Sequence, residues 1–155
     1  MKPVVSIIMG STSDLPILEK AAKFLDQMEV PFEMNALSAH RTPGEVEEFA
    51  RNAEGRGIKV IIAAMTPLPV IGLPINSTLD GVDALLSIVQ MPPGISVATV
   101  GINNGMNAAV MAVQILALGD EALAKRFAEY RATLSEKIVK ANDELKNVKY
   151  NFKVD

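Results

Sequence analysis

Two short segments gather most of the groups in this chain that could bind a ligand or move a proton. The first is Gly10-Ser11-Thr12-Ser13-Asp14, which follows the apolar run Val4 to Met9 and precedes a helical pattern. A glycine there lets a ligand approach the backbone. The serine hydroxyls and the free amides of a helix start can hold phosphate oxygens. Asp14 could accept hydrogen bonds from ribose hydroxyls. An equally good account is that Ser13 or Asp14 simply caps the helix. The segment is neither a Walker loop nor a dinucleotide fingerprint.

The second segment is Ser38-Ala39-His40-Arg41. Arg41 carries a planar fork that can grip a phosphate through two hydrogen bonds. His40 is the single histidine of the chain, and imidazole is the side chain whose ordinary pKa lies near neutrality. A structural or surface histidine is the competing account. Its place at the end of a strand, beside an arginine, favours a functional one.

Other stretches are better explained by packing. Ser87-Ile88-Val89-Gln90-Met91-Pro92-Pro93-Gly94 reads as a helix end passing into a rigid loop. Met91 and Pro92 could cover a flat heterocycle, but plain core and turn explains them as well. Asn103-Asn104-Gly105 and Asn107-Ala108-Ala109 open a small-residue helix suited to close packing.

The elements that must position these groups alternate in type. Strands are expected at Val4–Met9, Pro31–Leu37, Lys59–Ala63, Val70–Ile75 and Ser96–Ile102. Helices are expected from about Asp14 to Gln27, Pro43 to Glu54, Val82 to Val89 and Asn107 to Leu118. A long amphipathic helix runs from Asp120 to about Lys146, and residues 150–155 read as a tail. Thr42-Pro43-Gly44-Glu45 has the form of a capping box with proline at the first helical position. This alternation predicts one α/β domain over residues 1–155, a three-layer sandwich around a parallel sheet of the flavodoxin or Rossmann kind. Sites in such sheets lie beyond the carboxyl ends of the strands, where both segments fall.

Composition narrows the function. The chain has no Cys and one His, so thiolate and multi-histidine metal sites are not available to it. The net charge of −3 does not suggest a nucleic-acid partner. The Val4–Met9 run is too short for a signal core or a membrane span, and a cytoplasmic setting is expected.

One spacing is physically awkward. Only Ala64 to Pro69 separates the third and fourth expected strands, whereas a parallel crossover takes about a dozen residues or more. Either the two strands form an antiparallel hairpin, or a loop and most of a helix are absent. The second is the better reading, because Thr66-Pro67-Leu68-Pro69 is not a favoured hairpin turn. The shortfall is then a deletion or a lid-like loop missing from the chain as written, and the latter fits the usual mobility of lids.

Taken together and in order, Gly10-Ser11-x-Ser13-Asp14, Ser38-Ala39-His40-Arg41-Thr42-Pro43 and Ser87-Ile88-Val89-Gln90-Met91-Pro92 resemble the class I 5-(carboxyamino)imidazole ribonucleotide mutases. The resemblance runs from about Val4 to Leu118. Arg41-Thr42-Pro43 matches class I; the related class II carboxylases typically carry lysine at the first of these positions, without the proline. The resemblance implies a cofactor-free isomerase of purine biosynthesis that acts on a small ribonucleotide and forms homo-octamers, with C-terminal helices (about 120–155) packed on neighbouring subunits. It implies that Ser11, Ser13 and Arg41 bind the 5′-phosphate, Asp14 the ribose, and His40 the transferred proton, with Gly10 and Ser38 also lining the site. It also implies a Gly/Ala-rich loop with a second histidine after the third strand, which this chain lacks where the crossover rule finds its gap. Three alternatives stand beside it: a class II carboxylase, a nucleoside-monophosphate-binding protein inactivated by the deletion, and a flavodoxin-like regulatory domain.

Overall fold

In a computed structural model, residues 1–38, 41–62, 68–149 and 151–152 are described, with residues 137 and 146 described by backbone alone. Val5–Met9 forms β1, Phe32–Ala36 β2, Val60–Ile62 β3, Val70–Gly72 β4 and Ala98–Thr99 β5. The helices are α1 (Leu15–Gln27), α2 (Pro43–Ala53), α3 (Val82–Val89), α4 (Gly105–Ala117) and α5 (Glu121–Lys146). All strands pair in parallel, in the order β2-β1-β3-β4-β5. This is the flavodoxin-like order, with its switch point between β1 and β3.

The expected α/β sandwich is therefore present. The register Ile61↔Val70 and Ile62↔Ile71 is parallel, which overturns the hairpin alternative for β3 and β4. These strands are joined by residues 63–69 alone, and the expected strand end at Ala63 lies outside the described residues. β4 and β5 are also shorter than expected, at Val70–Gly72 and Ala98–Thr99; beyond β4, Pro74 has no amide to donate to a ladder. α4 begins two residues earlier than expected, at Gly105.

The β1 side chains are buried on both faces, as a central parallel strand requires. Val5, Ile7, Ile62 and Ile71 face one layer, where Leu18, Ala21 and Leu25 of α1 meet Ala108, Ala109 and Val113 of α4 and Leu123 of α5. Ile8 and Ile61 face the other, under Phe49 and Ala53 of α2. α3 closes that second layer, with Ile88 and Val97 over Gly72. A Cβ on Gly72 would stand 2.4 Å from Ile88 Cγ2. The one buried polar side chain among the described residues, Ser6, accepts from Asn35 Nδ2 at 3.2 Å across β1 and β2.

α1 and α4 approach so closely that a Cβ on Gly105 would lie 2.3 Å from the carbonyl oxygen of Ile17. The start of α5 is held by an edge-on contact of Phe24 with Tyr130, 4.9 Å between centroids, and by Arg126 Nε donating to the Met28 carbonyl at 3.1 Å. Beyond it, Leu134, Ile138, Val139 and Leu145 are exposed on the second half of α5. Among the described residues no helix is long and apolar enough to cross a membrane.

Two predictions follow from this packing. Gly105→Ala should cost about 1–3 kcal/mol in urea denaturation, since the obstacle is backbone and not a yielding side chain. At the start of α3, Thr78 Oγ1 donates to the Asp83 carboxylate, and the Ala84 amide adds to it. Both hold its pKa below the ordinary 3.8. A depressed carboxylate stabilises the fold fully above its ordinary value and loses that contribution as pH falls through the folded value. Thr78→Val should lower the melting temperature at pH 7, and the difference from wild type should vanish in strong acid.

Candidate functional site

The chain leaves β1 at Met9 and turns at Ser11. Ser11 is the cap of a 3-10 turn over Thr12–Asp14: its Oγ accepts from the Ser13 amide at 3.3 Å, and Asp14 Oδ2 accepts from the Ser11 amide at 3.2 Å. This reciprocal box satisfies two otherwise orphan amides. Ser13 Oγ donates to Asp14 Oδ1 at 3.3 Å. Ser11 thus caps the 3-10 turn with Asp14 as its partner, while Asp14, one of the two expected candidates, takes the N-cap position of α1 without a side-chain capping bond there. Gly10 is exposed, and a Cβ added to it would meet nothing within 4 Å, so the space above this turn is open to a ligand.

β2 ends one strand away. Leu37 donates its amide to the Met9 carbonyl at 2.9 Å, which carries the ladder to the edge. Ser38 and Thr42 then close the turn on each other. The Ser38 amide donates to Thr42 Oγ1 at 3.0 Å, Thr42 Oγ1 donates to the Ser38 carbonyl at 3.2 Å, and the Thr42 amide reaches the same carbonyl at 2.7 Å. The hydroxyl of Thr42 is therefore engaged backward, and the capping box expected with Glu45 does not form. Ser38 Oγ accepts from the Arg41 amide at 3.3 Å. His40 and Ala39 lie outside the described residues.

Arg41 unites the two turns. Its Nη2 donates to the Gly10 carbonyl at 2.7 Å. One donor of the fork is committed to positioning, and four of the guanidinium's five N–H groups are left for an anion. Arg41, Ser11, Ser13, Asp14 and Ser38 are thus brought to neighbouring strand ends beside the switch point. The arrangement is built from small hydroxyls, backbone amides and one cation, a set whose chemistry suits an anion.

Two asparagines meet at the same edge: Asn103, expected only to open the small-residue helix, and Asn76, which no sequence pattern singles out. Asn103 has φ 56, and its Oδ1 accepts from the Asn76 amide at 2.9 Å. The available signal was the tolerance of asparagine for left-handed backbone, which the small-residue pattern of the following helix obscured.

Fold and site together define a doubly wound α/β protein with an anion-ready cleft at the carboxyl edge of its sheet. The chain belongs to the AIR carboxylase family, whose sequence model matches residues 4–137. It is 52% identical over 143 residues to the N5-carboxyaminoimidazole ribonucleotide mutase of Pyrococcus abyssi, covering 83% of this chain and 82% of that protein. It is 46% identical to the mutase of Methanocaldococcus jannaschii, covering 94% and 99%. The phosphoribosylaminoimidazole carboxylase of Candida glabrata is 47% identical over 163 residues, 96% of this chain, but the chain spans only 29% of that protein. Among solved structures, a variant of PurE2 from Treponema denticola superposes with a TM-score of 0.81 at 28% identity, covering 95% of this chain and all of the other. PurE from the same organism gives 0.76 at 27%.

The alignment with the Candida protein is longer than the whole 155-residue chain, although it uses 96% of it. That relative therefore has residues with no counterpart here, and the alignment with the Thermotoga maritima mutase, 162 residues long, behaves in the same way.

Arg41→Ala should weaken binding of ribose 5-phosphate by roughly ten- to a hundredfold in titration calorimetry, the size of a lost charge-assisted contact. Unchanged affinity would remove Arg41 from the anion site.

Proposed function

We propose that this protein is an isomerase that moves a carboxylate from the exocyclic nitrogen to C4 of 5-aminoimidazole ribonucleotide in purine biosynthesis. The observation that carries this reading is the hydrogen bond from Arg41 to the Gly10 carbonyl. It joins the two turns into one anion-ready cleft, in a chain 52% identical to a relative named as such a mutase.

In this reading Ser11, Ser13 and Arg41 hold the 5′-phosphate, Asp14 faces the ribose, and Gly10 and Ser38 line the cleft. The backbone amides at the turn and the guanidinium supply the positive field. His40 handles the proton. The N–C bond to the carboxylate breaks and releases CO2, and the nitrogen takes up a proton. C4 then attacks the retained CO2, a C–C bond forms, and the C4 proton departs to restore the aromatic ring. One proton is given and one taken, so a single imidazole working near neutrality serves both steps. No electrons are exchanged with an outside acceptor, and the balance needs no cofactor. CO2 must be kept in the cleft and water kept out.

The setting implied is a cytoplasmic homo-octamer. The apolar side chains exposed on α5, with Leu134, Ile138, Ala141 and Leu145 at alternating steps of four and three, suit burial against a neighbouring subunit.

A second reading draws on the residues that relatives have and this chain lacks. If those residues complete the enclosure, the protein binds the ribonucleotide without turning it over. Turnover of the N-carboxylated ribonucleotide, followed with and without added bicarbonate, separates the cases. Bicarbonate-independent turnover that is lost in a folded His40→Asn variant is the expected result. Turnover that requires bicarbonate would indicate a carboxylase, and tight binding with no turnover would indicate the second reading. Near-wild-type turnover by His40→Asn would remove the proton role from His40.

A further inference from the structure

The sheet has a second edge, where its strands begin. A cavity of about 380 Å³ opens there, beside the residues that precede β1, β2 and β3: Val4, Pro31 and Lys59. Glu29 and Val30, leaving α1, form one side of it. Gly119 and Asp120, between α4 and α5, form another. β1 is five residues long, so roughly 17 Å of strand separates this cavity from the turn at Gly10. It shares no residue with the cleft described above.

Its walls combine two kinds of chemistry. Ile115, Leu116 and Leu123 supply apolar surface, while Glu29, Lys59, Asp120 and Arg126 supply two charges of each sign. A few polar groups converging on an apolar wall are the usual make-up of a small-ligand site.

Two of these charges are placed in ways that packing does not require. Arg126 Nε donates to the Met28 carbonyl at 3.1 Å. That bond fixes the guanidinium and leaves its other four N–H groups without a hydrogen bond among the described residues. The Glu29 carboxylate stands 3.7 Å from Arg126 Nη1, too far for a hydrogen bond. Glu29 itself follows the end of α1 with φ 56. Its amide donates to the Asp26 carbonyl at 3.0 Å, and the Val30 amide donates to the Leu25 carbonyl at 2.9 Å. This helix-ending turn calls for glycine, yet it carries a glutamate whose side chain is 75% exposed. The loose surface pair with Arg126 is a weak return for an unfavourable backbone. Local rules give way in this manner chiefly at functional positions. Lys59 makes no ion pair among the described residues, and one oxygen of Asp120 caps α5 at the Leu123 amide, leaving the other.

The charges select the ligand. A simple anion would meet Glu29, and a simple cation would meet Arg126 and Lys59. A molecule carrying both charges satisfies the whole set: its carboxylate on Arg126 and Lys59, its ammonium on Glu29 and Asp120. The apolar wall then takes an aliphatic chain. We infer that this amino-edge cavity binds a free aliphatic α-amino acid, selected by Glu29 and Arg126.

Titration calorimetry of the intact protein with L-leucine tests this. The controls are leucinamide, which lacks the carboxylate, and 4-methylpentanoate, which lacks the ammonium. Leucine should bind, and each control should bind at least about tenfold more weakly, the size of a lost charge-assisted contact. Glu29→Gly suits its backbone position, so it should raise the melting temperature while weakening leucine about tenfold. Arg126→Gln should weaken leucine to a similar extent. Affinity for ribose 5-phosphate should stay unchanged in both variants. A wild type that does not bind leucine overturns the inference, as does either control binding as tightly as leucine. So does a stabilised Glu29→Gly protein that binds leucine as the wild type does. A parallel loss of ribose 5-phosphate affinity would assign the effect to the fold and overturn the role of the two residues.

Discussion

Everything in this molecule depends on the fact that its five strands run the same way. Parallel pairing sends every strand out of the sheet at one edge and buries both faces of the inner strands, so those strands must be nearly all apolar, while the edge strand β2 keeps Glu33 and Asn35, and each return must cross a face. β1 shows the first consequence in its unbroken burial. The second is that the exits of β1, β2, β4 and β5 become neighbours, although they are distant in the chain. Arg41 reaches Gly10 across 31 positions of sequence, and Asn103 reaches Asn76 across 27. The Arg41 contact spans two adjacent strand exits through a guanidinium, and the Asn103 contact needs only a short amide, because the sheet has already brought the backbones together.

The same constraint makes the β3 to β4 passage the exceptional part of the fold. The parallel register is kept across Ile61↔Val70 and Ile62↔Ile71, yet the connecting residues are far fewer than a helical crossover takes. Relatives have residues with no counterpart in this chain. β3 also stands beside β1 at the switch point, the position at which ligands settle in doubly wound sheets. The shortening thus falls where it bears on enclosure of the cleft more than on the core, since Ile61, Ile62 and Ile71 are buried all the same.

The architecture was legible in the sequence because apolar runs and helical spacing report burial directly, and each element was recovered within a few residues. Hydroxyl partnerships were less legible. Thr42 and Glu45 had the form of a capping box, but Thr42 turns back to Ser38 because the β2 exit supplies both an amide and a carbonyl within reach. Ser11, by contrast, makes a reciprocal box with Asp14 that its spacing allowed but did not single out. Asn103 was hidden for a different reason. Its value lies in one backbone angle and one amide on a distant loop, and no local pattern encodes either.

The hydrogen bonds within the Ser11–Asp14 turn bear on how the cleft can act. A cap formed by Ser11 and Asp14 holds the turn rigid before any ligand arrives, so little conformational freedom is left to lose on binding. The same hydrogen bonds occupy Ser11 Oγ and both Asp14 oxygens. These groups can hold an anion or a hydroxyl only by using remaining lone pairs and protons, or by exchanging partners. Unengaged donors among the described groups include those of the Arg41 fork beyond its bond to Gly10 and the hydroxyl protons of Ser11 and Ser38, whose oxygens accept in the bonds described above. In the proposed site, charge for a phosphate would therefore come chiefly from one arginine held in place by its bond to the Gly10 carbonyl. Its bond to the Gly10 carbonyl leaves little slack in the position of the charge, and a lysine, with its mobile point charge, could not hold a backbone carbonyl and present a planar fork at once.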